Sequence, residues 1–120
     1  MKIAILRRSP GGSLSMDVYA DALSAWLQAV RPSWTVTEWY PHNPAKGTRT
    51  NSLHKGLQKY YQRYWRYPKQ VQNAEADLFH IIDHSDGYLV NDLKKTQRPV
   101  IVTCHDIVNW IHPEWFQHQA

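Results

Sequence analysis

Short apolar runs alternate along this chain with longer segments in which apolar residues recur every three or four positions. The short runs cover residues 2–6, 34–40, 78–82 and 99–104, and their apolar, β-branched and aromatic content predicts strands. The longer segments cover residues 14–30, 53–67 and 88–96, where the spacing of apolar side chains predicts helices. Pro32 is expected to end the first helix, and Pro68 to kink or end the second.

The order β-α-β-α-β-α-β indicates an α/β fold with a Rossmann-like parallel sheet and helices on both faces. We predict one domain over residues 1–120, with no internal repeat or linker. The first strand is apolar enough for the middle of the sheet, whereas the second suits a position near an edge. A doubly wound domain would continue with further strands, so we expect the domain to be incomplete after its fourth strand.

Titratable side chains follow two of these predicted strands. The third strand ends in Asp83, His84, Ser85 and Asp86, and the fourth ends in His105 and Asp106. Ligands of open α/β sheets bind at the carboxyl ends of the strands, and histidine titrates near neutrality. The candidate general acid–base or hydrogen-bonding groups are therefore His84, His105 and Asp106. The alternative is that Asp106 and Ser85 cap helices, while His80, inside its strand, is expected to be a satisfied core histidine.

A glycine loop separates the first strand from the first helix. Pro10, Gly11 and Gly12 lie at the start of that helix, where backbone N–H groups can bind phosphate. The spacing does not match either common nucleotide-binding glycine motif. Gly11 and Gly12 therefore remain candidates for a phosphate-facing or sugar-facing loop, with a plain turn as the alternative.

Neither a metal site nor a nucleophile is predicted. The histidine and aspartate residues show no recognised ligand spacing, and no cofactor is expected. Cys104 is the only cysteine, so no internal disulfide can form and a reducing compartment is expected. Because Cys104 lies inside the predicted apolar strand, we expect a buried and inert thiol.

Basic residues are concentrated in the middle of the chain. No acidic residue lies between Glu38 and Glu75, and the cations there are Lys46, Arg49, Lys55, Lys59, Arg63, Arg66 and Lys69. Lys55, Lys59, Arg63 and Arg66 line one helix face among Tyr60, Tyr61, Tyr64 and Trp65. This basic face is either a solvated surface with its aromatics packed on the sheet, or a contact to an anionic membrane. No nucleic-acid motif is present, and a cytoplasmic location, with peripheral membrane attachment open, is expected.

Four segments in this order resemble the N-terminal domain of family 4 glycosyltransferases, which are retaining enzymes of the GT-B architecture. The segments are MKIAIL, PGGS with the helix DVYADAL, ADLFHIIDH and PVIVTCHD. The resemblance spans nearly all 120 residues. It implies transfer of a sugar from a nucleotide-activated donor to an acceptor, with this domain shaping the acceptor side.

The resemblance also implies roles for individual residues. Gly11 and Gly12 match the loop that approaches the donor phosphate and the acceptor. His105 matches a cleft histidine that contacts the transferred sugar, while His84 and Asp86 lie where acceptor contacts are expected. In the family, a C-terminal domain holds the nucleotide-sugar with basic residues and a paired-glutamate motif. Residues 1–120 contain no counterpart of that domain. We therefore expect no activity from this chain alone; the alternatives are a carbohydrate- or partner-binding module and an inactive remnant held to a membrane or partner by the basic helix.

Overall fold

The computed structural model describes residues 1–42 and 52–115, and it shows an α/β fold with a four-stranded parallel sheet. The strands are β1 (Lys2–Leu6), β2 (Thr35–Trp39), β3 (Leu78–Ile81) and β4 (Val100–Val102). Their order in the sheet is β2-β1-β3-β4, with every neighbouring pair parallel. The predicted fold class is confirmed, as are the central position of β1 and the edge position of β2.

Helices connect these strands in the predicted order. They are α1 (Leu14–Val30), α2 (Ser52–Tyr61), α3 (Tyr67–Gln72), α4 (Leu89–Leu93) and α5 (Val108–Ile111). A π-helical turn, Gln62–Arg66, joins α2 to α3, and short 3₁₀ turns cover His84–Asp86, Lys94–Thr96 and Pro113–Trp115. Within residues 1–42 and 52–115, no helix combines the length and the apolar character needed to cross a bilayer. Most of the predicted loop at 41–52, with Lys46 and Arg49, lies outside the described residues.

The two faces of the sheet bury separate sets of side chains because neighbours along a strand point in opposite directions. On one face, Ile3 and Ile5 pack with Ala20 of α1 and with Ile82. The other face carries the larger buried cluster, which comprises Ala4, Leu6, Tyr67, Val71, Ala76, Phe79, Ile81, Leu89 and Leu93. Helix α1 therefore covers one face, and α3 and α4 cover the other, as right-handed crossovers require.

The helix over the basic segment continues past Pro68, which was predicted to kink or end it. Proline has no N–H to donate, and the wider π-helical turn of Gln62–Arg66 directly precedes it. Buried Tyr67 then anchors the helix to the sheet, since its hydroxyl donates to the carbonyl oxygen of Trp39 at 2.8 Å. This anchor fixes α2 and the π turn above the carboxyl end of β2.

The apolar side chains of α2 are not packed on the sheet. No residue of α2 is buried, and the relative exposures of Leu53, Leu57 and Tyr60 are 76%, 63% and 66%. Trp65, in the π turn, is also exposed. The solvated-face interpretation of the basic helix included packing of its aromatic side chains onto the sheet. That packing prediction is wrong. Only from Tyr67 onward does the helix reach the core, because the preceding turns extend beyond the end of the sheet.

Half-buried His80 has a hydrogen-bond partner, as predicted, but it is not one of the buried core residues. Its Nε2 lies 2.8 Å from Oγ1 of Thr103, and burial lowers its pKa below the ordinary value of 6.5. The unfolded chain therefore takes up this proton at a higher pH than the folded chain does. The stability that His80 contributes is present above about pH 6.5 and is lost as the pH falls through the window below it.

We predict that His80→Gln weakens this pH dependence. The amide can still reach Thr103, but it does not titrate, so the variant should lose less stability than the parent protein on acidification. Urea unfolding on both sides of the histidine window measures the difference. An equal loss of unfolding free energy in both proteins would show that His80 does not contribute to the pH dependence.

Candidate ligand site at the carboxyl ends of the first and third strands

A cavity of about 560 Å³ lies beyond the carboxyl ends of β1 and β3. These two strands are neighbours at which the winding of the sheet reverses, the position where open α/β sheets bind ligands. The loop after β1, the end of β2 and the basic helix contribute most of the lining. Its members are Arg8, Ser9, Pro10, Gly11, Gly12, Pro41, His42, Gly56, Lys59, Tyr60, Arg63, Tyr64 and Asp86.

Buried Arg7 anchors the loop after β1. Its guanidinium contacts three carboxylates: NH2 lies 3.0 Å from Asp17, and NH1 lies 2.7 Å from Asp21 and 3.2 Å from Glu38. Burial alone would lower the pKa of Arg7, but hydrogen bonds to Asp21 and Asp17 and the nearby Glu38 charge raise it instead. Arg7 therefore ties the end of β1 to α1 and β2 as a permanent cation.

The glycine loop is closed by its own hydrogen bonds. The backbone N–H of Gly11 donates to Oδ2 of Asp17 at 2.8 Å, and that of Gly12 donates to the carbonyl of Ser9 at 3.3 Å. Gly11 has a φ of 88°, a backbone conformation that favours glycine. With both N–H groups engaged, the loop contributes the shape of the cavity wall rather than free donors for phosphate.

Arg8 connects the loop after β1 to the loop after β3. Its Nε lies 2.9 Å from Oδ2 of buried Asp83, and its NH2 donates to the hydroxyl of Ser85 at 2.8 Å. Asp83 also accepts from the backbone N–H of Ser85 at 2.9 Å. Burial would raise the pKa of Asp83, but the Ser85 hydrogen bonds and the Arg8 charge lower it on balance. Asp83 is therefore an ionised anchor that orients the Arg8 side chain.

Arg63 connects the basic helix to the same loop. Its NH2 donates to Oδ1 of Asp86 at 2.7 Å, and its carbonyl accepts from the Tyr88 hydroxyl at 2.8 Å. The Asp86 side chain is only 5% exposed, and this burial raises its pKa although Arg63 opposes the shift. Burial, with the Asp86 charge nearby, also raises the pKa of Tyr88 to about 12, so Tyr88 remains a hydroxyl donor.

The predicted site residues separate into two groups. Gly11, Gly12 and Asp86 line one cavity together with Lys59 and Arg63 of the basic face. The other residues of that face, Lys55 and Arg66, are not among the lining residues. Likewise His84, although adjacent to Asp83, does not line the cavity; its exposed ring has Nδ1 3.8 Å from Oδ1 of Asp83.

His105 and Asp106 lie after β4, at the edge of the described sheet and outside the cavity lining. Nε2 of His105 lies 2.6 Å from the carbonyl of Ile82, so Nε2 carries the proton and donates. The ring also makes an edge contact with Tyr19 of α1 at 4.9 Å. Oδ1 of Asp106 accepts from the backbone N–H of Val108, the first residue of α5, at 3.3 Å, but the N-cap residue of this helix is Ile107 rather than Asp106.

Several residues that shape the cavity were not predicted from the sequence. Arg8 was not singled out, although Arg7 and Arg8 directly follow β1 just as the acidic cluster follows β3. That matching position at a strand end was the available signal. His42 offered no comparable signal, because its place in the lining depends on how the chain turns after β2.

Cys104 is exposed, so the prediction of a buried thiol is wrong. The strand β4 ends at Val102, and Cys104 lies beyond it, where its Sγ donates to the carbonyl of Asp106 at 3.1 Å. No group of three or more histidine, cysteine or acidic residues among residues 1–42 and 52–115 is arranged to hold a metal ion.

We predict that Arg63→Met lowers the free energy of unfolding by about 3 kcal/mol near neutral pH, because it leaves the Asp86 carboxylate buried without a cation. The loss should shrink in acid, where Asp86 takes up a proton, and it can be measured by urea unfolding at both conditions. Arg66→Met, at an exposed position three residues away, should change stability by no more than about 0.5 kcal/mol. Equal losses for the two variants would contradict the role of the Arg63–Asp86 pair.

Comparisons with protein-family models, with curated proteins and with solved structures found no significant match to this chain.

Proposed function

We propose that this chain provides the acceptor-binding, Rossmann-like half of a sugar-transferring enzyme. The observation that carries the proposal is the cavity at the switch point of the sheet, which collects the glycine loop and Asp86. The motif resemblance to family 4 glycosyltransferases supports the same function through Gly11 and Gly12, which line this cavity. A nucleotide-sugar donor would be held by a second domain, so we expect no transfer by these residues alone.

The lining has the chemistry that a hydroxyl-rich ligand needs. The Asp86 carboxylate uses Oδ1 for Arg63, and a second oxygen can accept from a sugar hydroxyl. The rings of Tyr60 and Tyr64 offer apolar faces against which a sugar ring can pack. Gly11 and Gly12 leave room for an acceptor to approach the backbone. The cavity size falls within the range of small-molecule sites.

In this proposal the residues outside the cavity act on a ligand that extends past it. His105 has Nε2 committed to Ile82, which leaves Nδ1 as its hydrogen-bond acceptor. This nitrogen suits a hydroxyl of the transferred sugar, the contact that the resemblance implies. His84 and Asp106 remain proposed acceptor contacts at the ends of β3 and β4.

Binding of methyl glycosides tests this function, because they carry sugar hydroxyls without charge. We expect a panel of these compounds to shift the amide resonances of Gly11, Gly12 and Gly87 in NMR titrations of the isotope-labelled chain. Asp86→Asn should weaken the binding several-fold, since the amide accepts less strongly than a carboxylate. Asp92→Asn in α4 is the matched control. No response to any member of the panel, or equal effects of both variants, would count against the proposal.

A second candidate is attachment of the basic helix to an anionic membrane surface. The observation that favours it is the exposure of Leu53, Leu57 and Trp65 beside the basic side chains of the same helix. Apolar and aromatic groups next to cations are typical of helices that lie in the membrane interface. The helix has no buried residue along α2, so docking would not require the core to open.

Sedimentation with anionic vesicles tests the second candidate. We predict that Lys55→Glu combined with Arg66→Glu abolishes co-sedimentation, because each cation near such a surface contributes about 1 kcal/mol. These positions lie outside the Arg63–Asp86 ion pair, so the folded core is retained. Lys94→Glu combined with Lys95→Glu, after α4, makes the same charge change elsewhere and should leave binding intact. Unchanged sedimentation of the first variant would exclude this mode of attachment.

A further inference from the structure

The charges around the cavity do not balance. Its lining contains the cations Arg8, Lys59 and Arg63, but Asp86 is the only carboxylate among the described lining residues. Asp86 is matched by Arg63, and Arg8 is matched by Asp83 just behind the wall. Lys59 forms no ion pair with a carboxylate in the part of the chain that the structure describes. The lining itself therefore carries more positive than negative charge, and Lys59 is its cation without a carboxylate partner among the described residues.

The two arginines are held in place with donors to spare. A guanidinium has five N–H donors, and the ion pairs and loop contacts of Arg8 and Arg63 use part of this set. Asp83 and Asp86 are both buried, so they fix the arginine heads from behind. Oriented guanidinium groups with unused donors are suited to phosphate oxygens, which accept charge-assisted hydrogen bonds.

Other features of the cavity favour a ligand larger than phosphate alone. A volume of about 560 Å³ is far larger than one phosphate group needs, and Tyr60 and Tyr64 supply part of the wall. The lining thus combines a cationic part with a carboxylate and aromatic faces. A methyl group added at Gly56 would meet no atom within 4 Å, so the helix leaves open space there.

We propose that the cavity binds a phosphorylated sugar or polyol, with Arg8, Lys59 and Arg63 holding the phosphate. This inference rests on the proposed function and specifies its acceptor as an anionic one. The same chemistry is offered by a soluble sugar phosphate and by a phosphorylated polyol headgroup of a lipid. In either case Lys59 supplies the charge that pairs with the ligand, while Asp86 and the tyrosines contact its hydroxylated part.

The first test compares glucose 6-phosphate, methyl glucoside and inorganic phosphate in NMR titrations of the whole chain. We expect glucose 6-phosphate to bind at least about tenfold more tightly than either of the others, and its advantage to decrease with added salt. Lys59→Gln should remove most of the advantage, because it should weaken glucose 6-phosphate binding much more than methyl glucoside binding. Lys55→Gln, one turn earlier on the same helix and outside the cavity, should have no effect.

The outcomes separate the two proposals. Equal affinity for methyl glucoside and glucose 6-phosphate would overturn the phosphate inference and leave the proposed function standing. Inorganic phosphate binding as tightly as glucose 6-phosphate would leave the cationic site standing and contradict a sugar-binding function. If Lys59→Gln and Lys55→Gln weaken glucose 6-phosphate binding equally, the inference is overturned, because the effect would then reflect the general charge of the helix.

Vesicles distinguish the two sources of the phosphate. Phosphatidylcholine vesicles with and without phosphatidylglycerol are sedimented with the protein, in the presence or absence of glycerol phosphate. A lipid headgroup in the cavity predicts binding that Lys59→Gln weakens more than Lys55→Gln and that glycerol phosphate competes away. Tight binding of glucose 6-phosphate without such competition would assign a soluble ligand. If Lys59→Gln weakens the binding of neither glucose 6-phosphate nor the phosphatidylglycerol vesicles, the inference is overturned.

Discussion

The ion pair between Arg63 and Asp86 is the contact on which the candidate site depends. It joins a helix that lies largely outside the core to the loop after β3, at a separation of 2.7 Å. The hydrogen bond from the Tyr88 hydroxyl to the Arg63 carbonyl supports the same junction from the backbone. Without this junction, Lys59 and the tyrosines of the helix would not be held against the glycine loop. One wall of the cavity therefore depends on a buried charge that must remain paired.

The loop after β1 is held by comparable means. Arg7 forms ion pairs with carboxylates of α1 and β2. One of these carboxylates, Asp17, also accepts a hydrogen bond from the backbone N–H of Gly11. Arg8 then pairs with Asp83 across the cavity edge. These contacts hold both arginines at the end of β1 and pair them with the nearby carboxylates. The physical reason for proposing an anionic, hydroxylated ligand is that Lys59 lines the cavity without a carboxylate partner among the described residues. Such a ligand is compatible with the proposed acceptor half of a sugar-transferring enzyme.

The sheet could be predicted from the sequence because its strands are short apolar runs and its helices carry regular apolar spacing. The position of Asp86 at a strand end was predictable for the same reason. The remainder depended on tertiary geometry. Pro68 did not end its helix, because the π turn before it accommodates the missing N–H. Leu53 and Leu57 are exposed because their part of the helix extends beyond the sheet. The helical periodicity of the sequence does not indicate how far a helix extends beyond the sheet. The partner of Arg8 likewise lies far away in the sequence.

The most direct test of the account is to locate a bound tetrahedral anion. Tungstate resembles phosphate in shape and charge, and its anomalous scattering identifies its position in crystals of the protein. We predict a tungstate site in the cavity, within hydrogen-bonding distance of Arg8, Lys59 and Arg63, that is lost in Lys59→Gln crystals. Tungstate bound only elsewhere, with the cavity free of anomalous density, would contradict it.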